Sequence, residues 1–244
     1  MNIYDALETR ISCRAFEDRV IEEEKLLEIQ QKINEINSSE GLHLQLYGPR
    51  VSGKPAIDLQ ANIFAGPVYH YIACVSHADA VSREKTGYYG EQIVLMATQM
   101  GLGTCWILTN FNQNTLRIKI NPGEQFVAII LLGYAMKRIP TQQWLIRAQF
   151  RKRDKALSQA IETDTDQLPE WFINGVKAAQ IGPSGVNYQP TVFCWKHEQV
   201  SAYMPKAIDL QDVDFGIAKY QFEVGARIKG VWEWGEHGRF ILNV

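Results

Sequence analysis

The sequence has almost no charge excess and no apolar run long enough to cross a membrane. Its 25 Lys and Arg oppose 27 Asp and Glu, so a net charge of -2 gives no general attraction to nucleic acid or anionic membranes. The uncharged run at residues 126–135 is too short for a membrane span, and the N-terminus lacks a signal-peptide layout. We therefore expect a cytoplasmic globular protein with neither membrane nor nucleic-acid partners.

The sequence also lacks cysteines and histidines at the close spacings of a metal site or a Cys-x-x-Cys motif. The four cysteines stand alone without a Cys-x-x-Cys pair, and the five histidines are equally scattered. Free thiols are therefore expected rather than disulfides. No zinc site and no Ser/His/Asp triad can be argued from these spacings, so the sequence predicts no metal site.

The longest well-patterned apolar stretch covers residues 87–107. Apolar residues recur there at helical spacing as far as Met100, and Gly101 and Gly103 end the pattern before a strand-like segment through Ile107. A helix that is apolar on more than one side belongs inside a protein or between two halves of one. We expect this helix to be the centre of the fold.

Helical and strand patterns alternate along the rest of the chain. Helices are predicted at residues 2–8, 20–35, 114–118, 156–161, 169–180 and 217–226, and strands at residues 42–47, 67–75, 107–109, 126–134, 191–195 and around Trp232. The polar, acidic stretch 162–168 before Pro169 is the best linker. We place one unit at residues 1–162 and a second, shorter unit at residues 169–244.

A repeated spacing between a glycine and a tryptophan relates the two units. Gly90 precedes Trp106 by 16 positions, and Gly216 precedes Trp232 by 16 positions. A helix, a turn and a strand precede this Gly-to-Trp segment in both units. The pattern indicates two related halves.

Three segments are candidates for a binding site. Arg10, Ser12 and Arg14 alternate, so an extended backbone would point all three one way and suit an anion such as a phosphate. The alternative is a solvated surface strand. Residues 147–155 contain five basic residues, which are usually a solvated face. The loop at residues 181–190 either positions donors or merely turns the chain.

These features together resemble the FMN-dependent nitroreductase family. The resemblance rests on Arg10-x-Ser12-x-Arg14-x-Phe16, the Gly101–Ile107 turn, the strand end at residues 131–134, and Pro183-Ser184-x-x-Asn187-x-Gln189-Pro190. It implies an α+β nitroreductase-like fold with mixed sheets flanked by helices. In the usual family pattern the Pro-Ser loop follows the first helix, whereas here it lies in the second unit. The resemblance therefore implies a fused variant with two pseudo-symmetric halves, one FMN per chain and a monomeric state.

The resemblance also implies roles for particular residues. The FMN-binding set would be Arg10, Ser12, Arg14, Leu108, Thr109, Arg151, Arg153, Pro183, Ser184, Asn187 and Gln189. The basic residues would hold the phosphate, with residues 137–138 as a competing basic pair, and Ser12 would donate to the phosphate or to the ribityl chain. The Pro183 loop would line the flavin ring, and the backbone amides of Leu108 and Thr109 would face its N5 and O4 edge. No catalytic side chain is implied, because the flavin carries the chemistry.

The implied activity is a ping-pong oxidoreduction. NAD(P)H would deliver hydride to flavin N5 and leave, and a nitroaromatic, a quinone or a similar small molecule would then accept the electrons. One alternative is a flavin-binding carrier or regulatory protein without turnover. A second alternative is a structural α+β protein without a cofactor.

Overall fold

A computed structural model describes residues 1–151, 155–205 and 211–243. The helices are α1 (Ile3–Thr9), α2 (Glu23–Glu40), α3 (Ala80–Gln99), α4 (Thr141–Arg151), α5 (Glu170–Ile181) and α6 (Gln211–Ala226). The strands are β1 (His43–Tyr47), β2 (His70–His77), β3 (Gly103–Ile107), β4 (Glu124–Gly133), β5 (Ile161–Thr163), β6 (Val192–Lys196), β7 (Gln199–Tyr203), β8 (Gly230–Trp232) and β9 (Arg239–Leu242). The predicted α+β class with sheets flanked by helices is confirmed.

The two sheets share an order of strands. The first sheet is antiparallel in the order β1-β2-β4-β3, with α3 connecting β2 to β3. The second sheet has the order β5-β6-β7-β9-β8, with α6 connecting β7 to β8. Apart from β5, which pairs parallel to β6, the second sheet repeats the order and antiparallel pairing of the first.

Helices α3 and α6 pack against each other through two glycines. A Cβ on Gly216 would overlap the carbonyl oxygen of Glu84, and a Cβ on Gly87 would overlap that of Val213. The contact is reciprocal, because each glycine faces the carbonyl three residues before the other glycine. Gly90, which the sequence spacing pairs with Gly216, faces the Trp106 ring instead. A Cβ added to Gly90 would lie 2.7 Å from Cζ2 of that ring.

The central helix belongs to both large apolar clusters. Leu95 of α3 packs with the side chains under the second sheet, whereas Ile93 and Val94 pack with those under the first. Leu7 of α1 lies in the cluster of the second sheet. Helix α1 thus packs against the C-terminal half. This packing brings the residues that follow α1 to the junction of the two sheets.

Helix α2 differs from its predicted bounds at both ends. It begins at Glu23 rather than Val20 and ends at Glu40, five residues beyond the predicted end at residue 35. Gly41 ends it with φ 67°, the left-handed conformation that glycine adopts without strain. The polar residues of the last turn remain helical because Asn37 Nδ2 donates to Leu44 O and its Oδ1 accepts from Leu44 N, both at 2.9 Å.

The region before the second sheet also differs from the prediction. The basic run begins inside α4, a helix that periodicity did not reveal, and Lys152, Arg153 and Asp154 lie outside the described residues. The predicted helix at 156–161 is a 3-10 turn followed by β5. Glu162, expected at the linker boundary, is part of β5, where it pairs with Cys194 of β6. Lys196 and Tyr203 donate to its carboxylate.

Candidate functional site

The 10–16 segment is extended, as the sequence predicts, and runs beside β3. Ser12 forms a parallel bridge with Thr104, and the amide of Cys13 donates to Thr104 O at 2.7 Å. Phe16 N donates to Ala65 O at 2.8 Å. Cys13 and Phe16 are buried, whereas Ser12 and Arg14 are half-buried. The alternation thus divides the segment into an anchored face and an outward face.

Arg10 does not share the outward face. Its guanidinium is buried, and Nη2 donates to Ile181 O at 2.7 Å. Its Nε lies 3.8 Å from Glu91 Oε1 and has no hydrogen-bond partner. Arg10 therefore connects the N-terminal segment with the residue before the loop of the second half. The sequence expectation that Arg10, Ser12 and Arg14 point the same way is wrong for Arg10.

Glu91 is a fully buried carboxylate next to Arg10. Its Oε2 accepts from Trp106 Nε1 at 2.9 Å, and its Oε1 accepts from Gln221 Nε2 at 2.6 Å. Burial raises the pKa of Glu91 to about 7, and the charge of Arg10 and the two hydrogen bonds oppose that rise. Sequence reasoning missed Glu91, although a lone acidic residue within the apolar stretch 87–107 was the available signal.

The 182–190 loop contains four of the predicted site residues. Gln189 Nε2 donates to Gly182 O at 2.9 Å and to Asn187 Oδ1 at 3.3 Å, and Gln189 N donates to Ser184 Oγ at 3.1 Å. Pro183, Ser184 and Asn187 are half-buried. The φ angles of Asn187 and Gln189 are 57° and 49°. Such left-handed residues are uncommon outside glycine and persist where side-chain contacts hold them.

Asp214 attaches this loop to α6. Gly185 N donates to both carboxylate oxygens of Asp214, at 3.0 and 2.9 Å. Burial raises the pKa of Asp214 to about 7, and the hydrogen bond from Gly185 opposes the rise. A carboxyl at the base of the loop is therefore poised to change its charge near neutral pH.

The Asp214 carboxyl predicts a pH dependence of stability. Because its pKa is higher in the folded protein than in an unfolded chain, the folded state loses stability as the pH rises from about 4 to about 7. Asp214→Asn removes this loss and keeps an oxygen for Gly185 N. In urea unfolding, the stability of the variant relative to the native protein should rise from pH 4 to 7 and then level off. A difference independent of pH would contradict this assignment.

Leu108 and Thr109 lie in an exposed bend directly after β3. The strand ends at Ile107, two residues before the predicted end. Leu108 is 43% exposed. The backbone of this bend continues β3, the strand with which Ser12 and Cys13 pair.

Helix α4 lies beside the 182–190 loop. Helix α4 contacts the turn at residues 185–187, and Arg151 is its last residue. Lys155 Nζ lies 5.9 Å from the ring centroid of Tyr188. Arg153 is outside the described residues, and the competing pair at residues 137–138 lies after β4, away from this loop in the sequence. The structure thus brings together the 182–190 loop and helix α4, while Arg10 brings the 10–16 segment to the start of the loop.

Buried polar atoms without hydrogen-bond partners occur on three of the segments near this junction. They include Arg10 Nε, Thr191 Oγ1 and Gln221 Oε1. Gln221 packs on Gly182, whose added Cβ would lie 2.9 Å from Gln221 Cγ. Unpaired buried polar atoms cost free energy and call for an explanation such as a bound ligand. Arg10 Nε is a donor, Gln221 Oε1 is an acceptor, and Thr191 Oγ1 can be either. Together these atoms suit a ligand with hydroxyl and phosphate groups.

Two features are absent from the described part of the chain. No helix there is both long and apolar enough to cross a membrane. No cluster of three or more His, Cys, Asp or Glu side chains there could hold a metal ion.

The sequence matches the model of a protein family described as "Putative TM nitroreductase" over residues 2–226. The chain belongs to this nitroreductase family. It is therefore a nitroreductase-like oxidoreductase, and the expected family resemblance is confirmed. No match was found among curated proteins.

Solved structures of nitroreductases align with the chain. A putative nitroreductase from Thermotoga maritima MSB8 aligns over 100% of this chain and 95% of its own, with 22% identity and a TM-score of 0.65. This similarity establishes the nitroreductase fold. An FMN-dependent nitroreductase from Clostridium difficile R20291 has 21% identity, a TM-score of 0.40, and coverage of 55% of this chain and 88% of its own. A nitroreductase with bound FMN from Bacteroides fragilis NCTC 9343 has 12% identity, a TM-score of 0.42, and coverage of 57% and 91%.

Proposed function

We propose that this nitroreductase-family protein binds FMN between the 10–16 segment and the 182–190 loop and is an NAD(P)H-dependent oxidoreductase. The observation that carries the proposal is the hydrogen bond from Arg10 to Ile181 O, which closes the first segment onto the start of the loop. The unpartnered Nε of Arg10, Oγ1 of Thr191 directly after the loop and Oε1 of Gln221 on α6 support a polar ligand in this region.

The residues divide between the two ends of the cofactor. Ser12 and Arg14 on the outward face would hold the phosphate together with Arg151 and Arg153, and Arg10 would reach it from the buried side through its unpaired Nε. Charge-assisted hydrogen bonds favour a dianion strongly. Pro183, Ser184, Asn187 and Gln189 would line the ring. Backbone amides at Leu108 and Thr109 would donate to its polar edge. When bound, FMN supplies hydride acceptance from NAD(P)H and electron delivery to a nitroaromatic, a quinone or a similar acceptor.

We further infer that units 1–162 and 169–244 are duplicated halves and that the chain acts as a monomer with one FMN. The repeated strand order and the reciprocal packing of Gly87 and Gly216 support this inference. Only one half has an Arg-x-Ser-x-Arg segment, and only the other has the Pro-Ser loop. Fused halves supply both walls of a site that a homodimer would otherwise build from two subunits.

The test of the cofactor is the absorbance of the purified, FMN-reconstituted protein. We expect a flavin band with about one FMN per chain, and Arg14→Ala should weaken FMN binding by about 10-fold or more, the effect of losing a charged hydrogen bond. Arg50→Ala, a change at an exposed arginine in another loop, is the matched control. Two FMN per chain would contradict the single-site arrangement, and equal losses in the two variants would contradict the phosphate role of Arg14.

The test of turnover is steady-state oxidation of NADH or NADPH with a quinone or nitroaromatic acceptor. The alternative function, a flavin-binding carrier or regulatory protein, predicts a bound flavin that neither nucleotide reduces. The division of the site between two halves of one chain is the feature that keeps this alternative open. Rapid bleaching of the flavin band by NADH or NADPH would reject it.

A further inference from the structure

The Glu91 carboxylate is a buried charge that the proposed function leaves without a role. It faces Arg10 from the segment after α1, Trp106 from β3, and Gln221 from α6. Tyr220 on α6 is also near, because the Glu91 charge helps to raise the pKa of the Tyr220 hydroxyl. Arg10 is the cation among these groups. Elements from both sides of the proposed flavin site therefore meet at Glu91.

The hydrogen bonds of Glu91 leave Arg10 incompletely bound. Trp106 and Gln221 each donate to one carboxylate oxygen, at 2.9 and 2.6 Å. The 3.8 Å from Arg10 Nε to Oε1 is too long for a hydrogen bond, so the pair interacts through charge alone. Arg10 Nε therefore keeps its donor for another acceptor while its charge is neutralised by Glu91.

We propose that Glu91 and the FMN phosphate share Arg10, and that Glu91 takes up a proton from solvent when the phosphate binds. This inference rests on the proposed function. A phosphate beside Arg10 would place a second anion next to a buried carboxylate that has one cation. Protonation of Glu91 removes the excess charge, and the neutral carboxyl still accepts hydrogen bonds from Trp106 and Gln221.

The protonation costs little near neutral pH. Burial already raises the pKa of Glu91 to about 7 while Arg10 opposes the rise, so an anion that engages Arg10 raises the pKa further. Because FMN binding and proton uptake by Glu91 then favour each other, FMN binds more tightly at a pH below the pKa of Glu91 and more weakly at a pH above it. Glu91 acts as a positioning residue, since it tunes Arg10 and does not touch the cofactor.

The experiment is a titration of flavin-free protein with FMN, followed by flavin fluorescence between pH 7 and 9. The Kd of the native protein should rise with pH, by at most tenfold per pH unit, whereas that of Glu91→Gln should stay nearly constant. At pH 8.5 the variant should bind FMN about tenfold more tightly. Riboflavin, which lacks the phosphate, should show no such pH dependence. Glu223→Gln, at another carboxyl with a raised pKa that hydrogen-bonds Tyr88, should keep the native profile.

Calorimetry supplies a second readout that needs no variant. In two buffers of different ionisation enthalpy at pH 8, FMN binding should take up between a half and one proton, and riboflavin binding should take up none. The same pH profile in Glu91→Gln and native protein, or no proton uptake, would overturn the inference and leave the proposed function intact. Failure of the native protein to bind FMN would overturn both. If the variant does not fold, the FMN and riboflavin comparison decides.

Discussion

Lys219→Met will lower the free energy of unfolding by about 3–5 kcal/mol, because it strands the buried Glu84 carboxylate without its cation. The side chains of Lys219 and Glu84 are 0% and 2% exposed. Lys219 Nζ donates to Glu84 Oε1 and to Glu233 O at 3.0 Å, and Gly235 N donates to Glu84 Oε2 at 2.7 Å. The substitution keeps most of the side-chain volume and removes the charge and its donors.

The double variant Lys219→Met with Glu84→Gln separates charge from packing. The introduced amide would still accept a hydrogen bond from Gly235 N and would carry no charge, so most of the lost stability should return. Burial raises the pKa of Glu84, so protonation should also make the loss in the single variant smaller at pH 5 than at pH 8. Urea unfolding monitored by circular dichroism measures both effects. A double variant no more stable than Lys219→Met would show that packing, not charge, dominates.

The Glu84–Lys219 pair illustrates what the sequence could not predict. Each residue follows the helical pattern of its own neighbours, and 135 positions separate them. Their contact depends on how α3 and α6 cross, which local periodicity does not encode. The same limit applies to Glu91 and Gln221, which are 130 positions apart. Buried charges of this kind appear in a sequence only as unexplained polar residues in apolar helices.

The elements themselves were more predictable than their partners. Periodicity predicted β2, β4 and α5 because long runs of buried residues dominate their sequences. It missed α4, whose basic residues resemble a solvated loop, and β9, whose four residues are mostly exposed. The residues of the 182–190 loop were selected by family resemblance, since turn residues alone predict a bend and no ligand.

The helix crossing itself gives the second large effect, at Gly216. Helix propensity alone predicts that Gly216→Ala stabilises the protein by about 1 kcal/mol, because glycine is a poor helix former. The structure predicts the opposite sign. The new Cβ would overlap Glu84 O and lie 2.7 Å from Tyr88 N, and both atoms belong to the backbone of α3 and cannot rotate away. Forced separation of closely packed elements costs about 1–3 kcal/mol or more.

Thermal and urea unfolding of Gly216→Ala should therefore show a clear loss of stability, and Gly87→Ala should show a similar one because its Cβ would overlap Val213 O. Gly48→Ala is the matched control, since its Cβ would lie 3.4 Å from the His70 ring, an ordinary contact. A Gly216→Ala protein as stable as the control would mean that the two helices do not cross at these glycines.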